Sequence, residues 1–148
     1  MFKKKVKKLT VSKAKKKTWA IFSLYIRTRD TNKLARYLGG DKVERVGSCF
    51  TCGKLISSKE GQAGHFIQGR HSSVLFDPRN THLQCVGCNL FKSGNLIPYY
   101  EKMLKEYGQE VIDELKSLDK QIKQFKVDEL ISLKEYYEQK LKELEKRV

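Results

Sequence analysis

Apolar residues bunch from Thr18 onward, at Trp19, Ile21, Phe22, Leu24, Tyr25 and Ile26, with Arg27 and Arg29 behind them. Thr18 suits a helix cap, and the pattern predicts a helix over about residues 18–38, stopped at Gly39-Gly40. The crowding within Ile21–Arg27 also fits a strand. Residues 47–95 hold turn formers, all four cysteines and all three histidines, which predicts short elements: a hairpin and one helix. Beyond Pro98 the helical period returns. Tyr100, Met103, Leu104 and Tyr107 share a face up to Gly108, and Val111, Ile112, Leu115, Leu118, Ile122 and Phe125 follow at steps of three or four. Asp128 then reads as an N-cap before the narrow stripe Leu130, Leu133, Tyr137, Leu141, Leu144 and Val148. Such a stripe either packs on the protein's own core or forms a dimer seam, so residues 98–148 are a helical region and a candidate dimerisation element.

Composition limits what these elements can build. With 148 residues, 39% hydrophobic and 32% charged, the chain suits one domain with a small core and a short appendage. No apolar run approaches the about 18 residues of a membrane span, and the basic N-terminus lacks the apolar stretch of a secretory signal. Both features predict a cytoplasmic protein. The net charge of +14 is uneven: residues 1–100 carry 20 basic and five acidic side chains, whereas residues 101–148 carry 11 and 12. Nine lysines lie within residues 1–17, which read as a flexible basic arm ahead of a unit spanning 18–97. A lysine run alone can be a solvated tail. An excess spread over the whole first part points to nucleic acid, whose phosphates reward cations through counterion release.

The cysteines form two pairs, Cys49-Phe-Thr-Cys52 and Cys85-Val-Gly-Cys88, separated by 32 residues. Each short spacing lets a tight turn grip one side of a tetrahedral ion, and Gly53 and Gly87 suit such knuckles. A redox motif needs only one pair, and disulfides are disfavoured in a reducing compartment. Four thiolates around Zn²⁺ leave no open position, so this metal is structural.

Between and beside the pairs lie His65, Arg70, His71, Asp77, Arg79, Asn80, His82 and Asn89. The zinc would draw His65 and Asn89 together, since each is tethered to a knuckle. Imidazole can take a proton from water near neutrality, and an Asn carbonyl is a hard ligand for Mg²⁺ or Mn²⁺. A histidine in a glycine-rich stretch is, taken alone, more often structural.

A first CxxC, a His 13 residues on, an Asn, then a second CxxC followed at once by Asn resembles the HNH, or ββα-metal, nucleases. The endonuclease VII branch is the nearest form. That resemblance implies His65 as general base, Asn80 as brace of the loop carrying it, and Asn89 as ligand of the catalytic metal. Longer strings narrow it further. Phe22-Ser23-x-Tyr25-Ile26-Arg27-x-Arg29-Asp30, Gln62-Ala-Gly-His65-Phe66, Arg79-Asn80-x-His82-x-Gln84-Cys85, and Cys88-Asn89 with Gly94-Asn95 resemble the phage NinG family, also called Rap. Its members are recombination endonucleases of lambdoid phages that cut branched intermediates such as Holliday junctions and D-loops. The resemblance runs over roughly residues 18–147.

One position departs from the wider nuclease pattern. The residue before the catalytic His is commonly Asp or His, a second metal ligand, but here it is Gly64. His71, Asp77 and His82 are the candidates to replace it, with His71 first. The expected fold is therefore α+β, a zinc-bound ββα-metal (HNH-like) core with an N-terminal helix and a helical C-terminal region. The expected activity is Mg²⁺- or Mn²⁺-dependent hydrolysis of branched DNA, giving 5′-phosphate and 3′-hydroxyl ends as the resemblance implies. Arg27, Arg29, Arg70, Arg79 and Lys92 are the expected phosphate contacts, and a homodimer would supply two active sites. A non-catalytic zinc-finger DNA-binding protein, or an RNA-binding zinc ribbon, explains the charge and the cysteines equally well. Neither explains His65 and Asn89 at this spacing.

Overall fold

A computed structural model describes residues 7–35, 43–69, 71–121 and 123–146. Helix α1 spans Val11–Arg29, and the Thr10 hydroxyl caps it by accepting from the Lys13 amide at 3.3 Å. Its inward face is Ala14, Thr18, Phe22 and Ile26, one residue in every four. The helix thus begins about two turns before Thr18. Small residues at 14 and 18 let a second helix approach, and the Thr18 hydroxyl donates to the Leu130 carbonyl at 2.9 Å instead of capping. Residues 11–17 are helix rather than arm, with Lys13, Lys16 and Lys17 exposed on its outer side.

The end of α1 also comes earlier than the pattern predicts. The Thr31 hydroxyl donates back to the Arg27 carbonyl at 2.7 Å, and Arg45 donates to the carbonyls of Thr28 and Thr31, each at 2.7 Å. A cation thereby satisfies carbonyls that the helix leaves open. The chain then enters a strand where the pattern predicts helix, and Gly39-Gly40 lies outside the described residues.

Strands β1 (Asn32–Ala35), β2 (Val43–Ser48) and β3 (Leu55–Ser57) form an antiparallel meander in that order. Strands β4 (Gln62–His65) and β5 (Thr81–Gln84) make a separate antiparallel hairpin pairing Gly64 with His82 and His65 with Thr81. All four residues of β5 are buried. A π-helical turn, Gly87–Phe91, precedes α2 (Leu96–Tyr107), α3 (Gln109–Asp119) and α4 (Val127–Lys146). The fold is α+β with two small sheets, and among the described residues no helix is long and apolar enough to cross a membrane.

Helix α4 lies along α1. Leu130, Tyr137 and Leu141 are buried, and Tyr137 meets Phe22 edge-on at 4.8 Å. The stripe that could have formed a dimer seam is therefore used internally, because α1 offers the matching four-residue repeat; Val148 lies outside the described residues. Asp128 sits inside the first turn of α4 rather than at its cap. Phe125 leaves the α3 repeat and joins the α1–α4 core, while Ile122 lies outside the described residues. A second core of Phe66, Val74, Tyr99, Met103, Ile112 and Leu115 seats α2 and α3 beneath the hairpin loop.

Truncating Leu130, which is 0% exposed, to Ala should lower unfolding free energy by about 2–5 kcal/mol in urea denaturation. Tyr136, 53% exposed on the same helix, should change it by no more than about 0.5 kcal/mol when replaced by Ala. Similar losses at both positions would mean that α4 does not pack this way.

Candidate metal centre and hairpin site

The site is built outward from β5. One edge of β5 pairs with β4; the other is occupied by side chains and a turn. Asp30 accepts from the Leu83 amide at 2.9 Å, Arg29 donates to the Thr81 carbonyl at 2.8 Å, and the Phe50 amide donates to the Leu83 carbonyl at 2.8 Å. Arg29 and Asp30 also pair with each other at 2.7 Å, and Arg29 donates to the Pro78 carbonyl at 2.7 Å. The end of α1, the loop before β5 and the first cysteine turn are thus joined to one strand.

The cysteines close on that strand. The Sγ atoms of Cys49, Cys52, Cys85 and Cys88 all lie within 4.8 Å of one another. The turn after Cys49 is fixed by the Gly53 amide donating to the Cys49 carbonyl at 2.9 Å, with Gly53 at φ 78°, which favours glycine. Donors face the sulfurs: the Cys85 amide to Cys49 at 3.3 Å, the Cys88 amide to Cys85 at 3.4 Å, and the Asn95 amide group to Cys88 at 3.5 Å. Burial opposes ionisation of Cys49, but the Thr51 hydroxyl and nearby backbone amides outweigh it and bring that thiol down to about 6. Burial pushes Cys52 up to about 12, with the neighbouring cysteines adding to the rise. Four soft sulfurs within reach of one another and faced by hydrogen-bond donors fit a divalent ion such as zinc.

His65 ends β4. Its Nε2 lies 2.9 Å from the Leu75 carbonyl, which can only accept. Nε2 therefore carries the hydrogen, and Nδ1 is left as a proton acceptor. Trp19 from α1 stacks on the ring at 4.8 Å. Burial lowers the pKa of His65 below its usual value, although the Leu75 carbonyl works the other way. The ring is therefore neutral at neutral pH. Asn80, 0% exposed, closes the loop that supplies Leu75: it accepts from the Ile67 amide at 2.8 Å and donates to the Ile67 carbonyl at 3.0 Å.

Asn89 lies in the π-helical turn, which the Lys92 amide closes by donating to the Gly87 carbonyl at 2.9 Å, and its own amide donates to the Cys85 carbonyl at 3.0 Å. Its Nδ2 donates to Gln62 Oε1 at 2.7 Å. Its Oδ1 faces Gly64, at 2.9 Å from where a Cβ would stand. Gln84 Oε1 faces the same point at 1.8 Å. No side chain fits at residue 64.

The other predicted residues are placed elsewhere. His82 stacks on Phe50 at 3.9 Å, and its Nδ1 and Nε2 meet the hydroxyls of Tyr99 at 3.0 Å and Tyr107 at 2.7 Å. Because Tyr99 donates to the Gly64 carbonyl at 2.7 Å, it must accept from Nδ1, and Nε2 accepts from Tyr107. Burial, with the charge of Arg29, holds His82 neutral, down to about 3. Both nitrogens are spent, so His82 is a structural bridge and not a metal ligand. Asp77 binds Arg79 through both oxygens, at 3.1 and 2.8 Å, and Arg79 also pairs with Glu114 at 2.8 Å. Of the arginines expected at phosphate, Arg29 thus uses most of its donors within the fold, and Arg79 is held by Asp77 and Glu114. Arg27 donates to the Ser58 carbonyl at 3.0 Å. Lys92 and His71 are exposed, and Arg70 lies outside the described residues. Sequence reasoning misses Trp19, Asp30, Gln62, Gln84, Arg45 and Asn95 as parts of this arrangement. Only Asp30, Gln62, Gln84 and Asn95 carry a signal, since they stand inside the motif strings.

The cluster makes a direct prediction. Purified protein should contain about one zinc per chain, and Cys85→Ser should destroy the cooperative unfolding transition. Structural zinc is worth about 10–16 kcal/mol in small zinc peptides, as much as the whole net stability of a typical domain. Metal analysis and denaturation with and without a strong chelator would check it. An unchanged transition after chelation would remove the metal from the folding balance.

No solved structure matches this chain. Over 97 residues it is 42% identical to Protein ninG of Escherichia phage 933W, and 40% identical to Protein ninG of both Escherichia phage lambda and Salmonella phage P22. Each match covers 65% of this chain and 47% of the relative, so the chain spans about half the length of these relatives. A family model described as Bacteriophage Lambda NinG protein matches residues 1–147. With a match over nearly its whole length, the chain belongs to the NinG family of phage proteins.

Proposed function

We propose that this protein is a metal-dependent endonuclease acting on branched DNA, with an HNH-like hairpin as its catalytic core. The observation that carries the reading is the pair of adjacent positions at the end of β4. His65 presents an unprotonated Nδ1 on an oriented, neutral ring, and at its neighbour Gly64 the missing side chain leaves room for the amide oxygens of Gln84 and Asn89. Hard amide oxygen suits Mg²⁺ or Mn²⁺, and Asn89 turns its Oδ1 toward Gly64 while its Nδ2 donates to Gln62 Oε1. Such an ion, when bound, stabilises charge on the scissile phosphate and the leaving oxygen. His65 takes the proton of a water as its oxygen attacks phosphorus. The bond to the 3′ oxygen breaks, leaving a 5′-phosphate and, after protonation by solvent, a 3′-hydroxyl. The cysteine cluster takes no part in the chemistry; it holds β5 and the π-helical turn in register with the first cysteine turn.

DNA would be drawn in by the lysines. Lys16 stands one helical turn before Trp19, the residue stacked on His65, so the cationic side of α1 lies close to the proposed base. Symmetrical cutting of a four-way junction needs two such sites. A homodimer formed for that purpose would pair through a surface other than the buried stripe of α4.

Incubation of a four-way junction and matched linear duplex with protein and Mg²⁺ or Mn²⁺ tests the reading; cleavage of neither substrate overturns it. His65→Ala should cut about 10²–10⁴-fold more slowly while keeping zinc and junction binding. The base works when unprotonated, and burial sets its pKa below about 6.5. The rate should accordingly be level above neutrality and fall tenfold per unit once pH drops below that pKa. A rate still climbing through pH 8 would exclude His65 as the base. Replacing Lys13, Lys16 and Lys17 by Gln should weaken binding of all sequences alike. The slope of log affinity against log salt should fall by about 0.9 for each phosphate that these lysines no longer neutralise. An unchanged slope would place DNA on another face.

A further inference from the structure

Gln84 is buried and holds an orphaned atom. The residue is 0% exposed, and its Oε1 is a buried side-chain oxygen with no hydrogen-bond partner. Its orientation is settled by the other end of the amide. Nε2 donates to the Gly94 carbonyl at 2.9 Å and to the Thr51 hydroxyl at 3.1 Å. Turning the amide over would set Oε1 against the Gly94 carbonyl, acceptor to acceptor, so the oxygen must face Gly64. There it is joined by Asn89 Oδ1. Both oxygens lie within 2.9 Å of the point where a Cβ of residue 64 would stand, and so within about 5 Å of each other.

A buried acceptor left unpaired is costly, and most such atoms in folded proteins find a partner. Both oxygens have their amide nitrogens tied down elsewhere, so the two lone-pair sets converge on one spot. The donor type is hard oxygen, which suits a small divalent cation keeping several waters.

We propose that Gln84 Oε1 is the second protein ligand of the divalent cation held by Asn89, taking the place that an acidic side chain at position 64 would fill. Gly64 is then required by the ligand itself: a Cβ there would stand 1.8 Å from Oε1 and displace it. The proposal rests on the endonuclease reading only for the purpose of the cation, since the binding site is argued from Gln84, Asn89 and Gly64 alone. Two neutral ligands hold a cation more weakly than a carboxylate would, so phosphate is needed to complete the site.

The test is Mn²⁺ binding to the zinc-loaded, DNA-free protein, followed by electron paramagnetic resonance and calorimetry. Mn²⁺ stands below Zn²⁺ in the affinity series and does not displace it from thiolates. Wild type should bind one Mn²⁺ weakly. Gln84→Ala and Gly64→Ala should each weaken it about tenfold or more, as Asn89→Ala should. The double variant Gly64→Asp with Gln84→Ala, which exchanges the ligand for a carboxylate and clears room for it, should bind at least as tightly as wild type. His65→Ala should leave Mn²⁺ binding unchanged. Zinc content and thermal unfolding identify any variant that fails to fold, and the double variant keeps the test decisive if Gln84→Ala is one of these. Wild-type affinity in folded Gln84→Ala or Gly64→Ala, or no recovery in the folded double variant, overturns the proposal. Cleavage that needs His65, together with Mn²⁺ binding indifferent to Gln84, would refute this ligand and leave the endonuclease standing. Mn²⁺ binding that needs Gln84 in a protein cutting no DNA would do the reverse.

Discussion

The outer edge of β5 is the constraint on which the rest of the molecule depends. A two-stranded hairpin is marginal in water, and a strand buried on every side cannot leave an edge unpaired. Among the described residues no third strand covers β5. Instead Arg29 and Asp30, two consecutive residues at the end of α1, act as donor and acceptor toward Thr81 and Leu83, and Phe50 completes the edge. The ion pair is partly buried, with side chains 23% and 20% exposed, so its value lies in satisfying backbone groups more than in its own attraction. The same pair fixes the direction of α1, and through Trp19 the position of His65. A change at the α1 terminus is therefore felt at the proposed base although the two are far apart in sequence.

The cysteine cluster adds a second constraint on the same strand. It joins the β2–β3 turn to the segment just after β5, and this segment turns into the π-helical turn carrying Asn89. A π turn widens the helical spacing and is often kept at functional sites. Here it brings the Asn89 carbonyl round to Gly64. His82 works from beneath: its contacts with Tyr99 and Tyr107 anchor α2 to the hairpin, and Tyr99 reaches the Gly64 carbonyl. The charged groups thus support the outer edge, and neutral ones the inner face.

Much of this is legible in the sequence because it is local. The paired cysteines state their own geometry, and the three C-terminal helices follow from apolar spacing and from Gly108. The α1 boundaries are obscured because lysines dominate residues 13–17 and hide the four-residue repeat of Ala14, Thr18, Phe22 and Ile26. Its true end depends on Arg45, a residue of another strand. The role of Arg29 is hidden for a general reason: an arginine in a basic chain looks like a phosphate ligand until its partners are known. Those partners lie about fifty residues away. His82 looks like a metal ligand for the same reason, since nothing in its own segment announces two tyrosines from α2.

The arrangement at Gly64 has an electrostatic consequence. The groups that meet there are the neutral amides of Gln84 and Asn89, in a chain whose first hundred residues carry a large excess of basic side chains. Carboxylate ligands would hold a cation firmly but repel an approaching phosphate, with that repulsion strengthened by burial. Amide oxygens exert no such repulsion. They bind the cation less tightly, and the phosphate itself then supplies the missing negative charge. Burial acts on His65 in the same sense, since a charged imidazolium beside the cation would oppose its binding, and desolvation keeps the ring neutral. On the proposed reading, such a site would stay inactive without polyanion and complete its charge balance only on DNA, which would join the exposed lysines of α1 to the chemistry proposed for β4.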